Sequence, residues 1–121
     1  MRKLLALLVA CGLMALAMAA CGGAGTVTIH TTATNFAQSS VTLQKGQSLK
    51  IVNDASDMHI LSLGTWSNGA AHPEKEPGAP PLQNEPLEGN SSLTIGPWNT
   101  PGTYHVYCTI HTGMNLTVIV S

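Results

Sequence analysis

Basic residues are scarce in this chain. Five Lys and Arg occur in 121 residues, and two of them, Arg2 and Lys3, stand at its start. Beyond residue 20, Lys45, Lys50 and Lys75 face Asp54, Asp57, Glu74, Glu76, Glu85 and Glu88, a net charge of minus three. That balance argues against nucleic-acid binding, which needs a basic surface. No glycine-rich loop follows a strand pattern, so a phosphate-cradling nucleotide site is not expected. There is no internal repeat, and the 101 residues from Cys21 onward suffice for one hydrophobic core and not for two. After residue 20 no segment carries a long apolar stripe at helical spacing. Cysteine is also sparse, with only Cys11, Cys21 and Cys108.

The first twenty residues read as a signal peptide. Arg2 and Lys3 precede an apolar run from Leu4 to Met18, and small residues follow to Ala20. Met18-Ala-Ala-Cys21-Gly resembles a bacterial lipoprotein signal, in which the cysteine becomes the lipidated first residue of the mature chain. Leu8-Val-Ala-Cys11 has the same form behind too short an apolar region. The expected organisation is therefore a signal peptide over 1–20, a short tether over 21–25 and one domain over 26–121. Lipid on Cys21 would hold that domain on the outer face of a bacterial membrane, on the periplasmic or extracellular side. Cleavage after Ala17-Met-Ala19 and retention as an uncleaved anchor are the competing readings. Cys108 is then the single free thiol of an exported domain. In an oxidising compartment such a thiol is either a hazard or a site.

The remaining chain alternates with a period of two. Val27 and Ile29, Val41 and Leu43, Leu49 and Ile51, and His59, Leu61 and Leu63 each share a face. So do Leu93 and Ile95, then Tyr104, Val106 and Cys108, and finally Met114, Leu116, Val118 and Val120. An all-β sandwich or barrel is predicted. Between Trp66 and Asn90 the pattern breaks into a Pro-rich stretch with Pro73, Pro77, Pro80, Pro81 and Pro86, read as a long functional loop or flap. Its Glu74, Glu76, Glu85 and Glu88 would make an acidic docking surface for a basic redox partner, or simply a solvated loop.

Chemistry concentrates in Tyr107-Cys-Thr-Ile-His-Thr-Gly-Met114. Here a thiolate, an imidazole and a thioether recur at every third position, soft and borderline donors that suit copper. A second imidazole completes a His2Cys set with a weak axial Met, the arrangement of electron-transfer copper. His59 is the candidate because it stands where one strand pattern stops and the next begins. The period of two turns Cys108 inward at the end of one strand, makes Met114 the first inward residue of the next, and turns His105 and Tyr107 away. His72 is the rival imidazole, in the Pro-rich stretch with no strand to aim it. Met58 reads as a core filler, and Trp66 and Trp98 as packing residues.

Cys108-x2-His111-x2-Met114, with His59 upstream and a terminal strand, resembles the small blue copper proteins, or cupredoxins. The short ligand loop is similar to that of amicyanin and the layout to that of plastocyanin. The resemblance implies a Greek-key β-sandwich and one type 1 copper held by His59, Cys108, His111 and Met114. It implies a monomeric, non-enzymatic electron carrier between redox proteins, such as a cytochrome or an oxidase. It also implies an apolar docking patch around His111, with Pro97, Trp98 and Gly113 as plausible members. Two positions depart from these relatives. Ile60 replaces the Asn that usually ties the two ligand loops, and Ile110 replaces a proline before the second histidine. The alternative function is copper binding or delivery without electron transfer. Multicopper oxidation lacks its His-x-His pairs, and zinc would accept Cys and His without needing Met114.

Overall fold

The alternating segments each become a strand. The computed structural model describes residues 25–121; the expected signal peptide, the expected lipidation at Cys21 and residues 21–24 of the expected tether lie outside the described residues. Nine strands follow in order: β1 Thr26–Thr31, β2 Ser40–Leu43, β3 Ser48–Asn53, β4 His59–Ser67, β5 Ala70–Pro73, β6 Glu85–Leu87, β7 Ser92–Ile95, β8 Gly102–Cys108 and β9 Asn115–Val120. Among the described residues there is no helix, so the all-β expectation holds.

One sheet has the order β1-β3-β7, with β3 parallel to β1 and antiparallel to β7. The other has the order β2-β9-β8-β4-β5, with β6 beside the start of β4. Strands β2 and β9 run parallel, and β8 is antiparallel to both β4 and β9. Alternate side chains of the two sheets form one core, with Ile29, Leu49 and Ile51 joined to Leu43, Leu61, Val106, Leu116 and Val118. Each such burial contributes roughly 1.5–3 kcal/mol.

Trp98 closes one end of this sandwich. It is fully buried, its indole N–H donates to the Ile95 carbonyl at 3.0 Å, and it packs on Tyr104 with ring centroids 5.5 Å apart. Its main chain pairs with the β2–β3 turn, through Trp98 N–H to Gln47 O and Gly46 N–H to Trp98 O. Lys45 of that turn reaches Ser121, just past the far end of β9 from Met114. Pro97 and Trp98 therefore lie at the opposite end from His111, about 20 Å away along β9, and not in a patch around it. In the same corner the Tyr104 hydroxyl donates to the Thr100 carbonyl at 2.7 Å. Tyr104→Phe is expected to cost about 1 kcal/mol, the net worth of one such bond, in urea unfolding.

The 66–90 stretch is more ordered than its proline content suggests. It contributes β5 and β6, and its middle is bonded to the sheet. Glu76 accepts from His105 N–H at 2.6 Å and pairs with His105 Nδ1 at 2.7 Å. Leu63 N–H donates to Leu82 O, and Asn84 N–H to Ser62 Oγ. Glu76, largely buried in this contact, is thereby withdrawn from any acidic surface.

Candidate metal centre

At the other end of the sandwich, β4 and β8 deliver His59 and Cys108 to neighbouring positions, since Leu61 stands opposite Cys108. After Cys108 the chain makes two turns and enters β9 behind Met114. This short return is closed by main-chain bonds: Cys108 N–H donates to Met114 O at 3.0 Å, and Met114 N–H to His111 O at 3.1 Å. Cys108, His59 and Met114 are wholly buried and His111 is half-buried. His111 is flanked by Ile110, which is 49% exposed.

Three donor atoms converge here. His59 Nδ1 lies 3.2 Å from His111 Nδ1 and 3.7 Å from Cys108 Sγ, and His111 Nδ1 lies 3.3 Å from the same sulfur. The other nitrogen of His59, Nε2, is 2.9 Å from the Thr32 carbonyl. A carbonyl can only accept, so Nε2 carries the proton and the neutral ring turns the Nδ1 lone pair toward the sulfur and the second imidazole. Such a bond from the outer nitrogen is the usual way in which a ligating histidine is oriented. The three separations define a triangle whose circumcentre lies about 2.0 Å from each donor, against about 2.0–2.1 Å for metal–nitrogen and about 2.3 Å for metal–sulfur bonds, so an ion would sit slightly nearer the nitrogens or out of the donor plane. The group could hold a metal ion as it stands.

Solved structures share this architecture. Amicyanin from Paracoccus versutus (Thiobacillus versutus) superposes with a TM-score of 0.60 at 20% identity, over 79% of this chain and 81% of that one. An amicyanin variant in its reduced state gives 0.59 at 15% identity, over 79% and 82%. A methionine-to-glutamine variant of amicyanin in its Cu(I) form gives 0.59 at 14%, over 80% and 83%. The fold is that of the cupredoxins. No family model and no curated protein matches the sequence.

Within the cupredoxin fold the tie between the two segments that carry the candidate ligands is made by main chain. Thr109 N–H donates to the Ile60 carbonyl at 2.7 Å, a bond indifferent to the missing Asn side chain. Two residues, His72 and Met58, stand elsewhere than expected, whereas His105 and His30 face away from the donors as the alternation predicts. His72 lies on exposed β5, apart from the three donors. Met58 is 38% exposed and fills no core. His105 is half-exposed and held by Glu76, and His30 pairs with Asp54 at the surface. Tyr107 points away from Cys108 along the strand, yet it is buried, because Trp66 covers it at 6.2 Å in an edge-to-face contact. Thr32 and Trp66 were not legible as site residues. Thr32 acts through its carbonyl, which no side-chain pattern reveals. For Trp66 a signal existed in Asn68-Gly69 between two strand-like runs, the mark of a two-residue hairpin.

Burial holds the His59 imidazole below its ordinary pKa of 6.5; the Thr32 carbonyl opposes this, and His111 adds to it. In metal-free protein the folded state then binds fewer protons than the unfolded one near that pH. The stability this confers is present above 6.5 and is lost as pH falls through the folded value. The unfolding midpoint of the metal-free protein is expected to fall on acidification by more in the wild type than in His59→Gln. Thermal melts of both at several pH values measure the difference, and a larger fall in the variant refutes it.

Proposed function

We propose that this chain is an exported type 1 copper protein that carries single electrons between redox partners, with His59, Cys108, His111 and axial Met114 as ligands of one copper ion. The observation that carries the reading is the convergence of two Nδ1 atoms and one Sγ at 3.2–3.7 Å, with His59 turned by Thr32. Copper bound there supplies a Cu(II)/Cu(I) couple. A thiolate and a thioether in one set favour copper over zinc, for which the thioether has no use.

The chain's own residues do the rest. Main-chain bonds on Cys108, Thr109 and Met114 hold the donors in one geometry, so little rearrangement opposes a change of charge. His111, the least buried donor, and exposed Ile110 offer the edge at which an electron enters or leaves. Lipid on Cys21 would tether a monomeric domain to the outer face of a bacterial membrane, within reach of a cytochrome or oxidase. Copper delivery is the weaker reading, because Cys108 and His59 are wholly buried, which suits retention of the ion. Cyclic voltammetry of the copper-loaded domain tests the choice. A reversible one-electron wave at one copper per chain is expected, and slow, irreversible reduction with loss of the ion would overturn it.

A further inference from the structure

Strand β4 changes partner part-way along. Its first half pairs with β8 through Leu61, Ser62 and Leu63, and from Gly64 onward its partner is β5. The break falls at Gly64, whose φ is +128°, a conformation open to glycine and strained for other residues. Beyond it Trp66 reaches over the outer side of β8 and the start of β9.

Those contacts surround the ligand loop. Trp66 N–H donates to Asn115 Oδ1 at 2.8 Å, and Asn115 Nδ2 donates back to Trp66 O at 3.0 Å. The indole N–H of Trp66 donates to the Cys108 carbonyl at 2.8 Å. Its ring stands edge-on to Tyr107. Residues 107 and 108 open the loop and residue 115 closes it, so one side chain and its main chain grip both ends. Cys108 is thereby held on each side, its N–H by Met114 and its C=O by Trp66. The hairpin has little other reason to lie there, since all four β5 residues are exposed.

We propose that the β4–β5 hairpin is a clamp on the 108–114 loop, with Trp66 as the positioning residue for Cys108 and Asn115 as its anchor beside Met114. The inference rests on the reading of that loop as a copper-ligand loop. Without the clamp, the loop's own two hydrogen bonds and the tie to Ile60 must hold a geometry that the metal needs unchanged in two oxidation states. The indole N–H also draws electron density from the cysteine through its carbonyl.

Two variants test the clamp. Trp66→Phe keeps a ring over Tyr107 and removes the indole donor; Asn115→Ala removes both amide bonds. Amide hydrogen exchange of the metal-free proteins is expected to rise tenfold or more at Cys108 and Met114 in each variant, with β3 amides unchanged. In the copper-loaded Trp66→Phe protein the reduction potential is expected to fall and the Cu(II) hyperfine splitting to change. Tyr104→Phe, at the far end of the sandwich, should move neither. Exchange unchanged at 108–114, or raised equally across β3, overturns the clamp. Raised exchange with an unaltered potential and splitting overturns its positioning role. If the wild type forms no thiolate–copper site, the proposed function fails while the exchange data still decide whether the hairpin holds the loop.

Discussion

Cys108→Ser is expected to abolish the intense red-region absorption of the copper-loaded domain and to widen its Cu(II) hyperfine splitting to that of ordinary nitrogen–oxygen copper. The colour of a type 1 site comes from charge moving between the thiolate and the metal, and a hydroxyl is a hard, protonated donor that offers no such transition. The substitution is clean in other respects. Serine is nearly isosteric with cysteine, and burying an unpartnered hydroxyl would cost about 1–3 kcal/mol. Here His111 Nδ1 lies 3.3 Å and His59 Nδ1 3.7 Å from the sulfur position. His111 Nδ1, the nearer of the two, is the acceptor for the new hydroxyl proton, so the metal-free variant is expected to unfold within about 1 kcal/mol of the wild type. Visible and electron paramagnetic resonance spectra beside a denaturation curve separate the two effects. A variant that keeps its colour would remove Cys108 from the copper, and with it the electron-carrier reading.

How far the chain could be read in advance depends on which interactions shape each part. The strands were legible because a period of two that buries one face admits one register only, and the apolar alternation around Ile29, Leu49, Val106 and Val118 is unbroken. The meeting of Cys108 and His111 was legible because their spacing fits a strand end and a short return. His59 followed from its place at the head of β4, since strand polarity brings that end beside Cys108. Side-chain pattern says nothing of main-chain acceptors, so the carbonyls of Thr32 and Ile60 stayed hidden. Proline count misled over 66–90, where single bonds from Glu76, Leu82 and Asn84 pin a segment that lacks periodicity. The burial of Tyr107 could not be foreseen from alternation, because it depends on β4 changing partner at Gly64 and laying Trp66 over the outer face.

Gly64→Ala should therefore have an effect well beyond that of one methyl group. A Cβ at this position would stand 2.3 Å from His72 O and 2.9 Å from Pro73 Cα. Both are backbone atoms of the paired strand and cannot swing aside. Backbone held at φ +128° adds strain of order 1–3 kcal/mol for a residue other than glycine, and overpacking against fixed neighbours typically adds about 1–3 kcal/mol more. A loss of about 4 kcal/mol is expected in urea unfolding, a large part of the roughly 5–15 kcal/mol that holds a domain together. Gly69 supplies the control. It lies at the hairpin tip with φ +75°, and a Cβ added there would meet no atom within 4 Å, so Gly69→Ala incurs conformational strain alone, about 1 kcal/mol. The chain can relieve the clash at Gly64 only by parting β5 from β4, which would lift Trp66 from Tyr107 and Asn115. Tryptophan fluorescence should then shift to the red in Gly64→Ala and stay unchanged in Gly69→Ala, while Trp98, sealed at the other end, contributes a constant background. Equal stability losses in the two variants would mean that the kink is not held by the contacts that surround it.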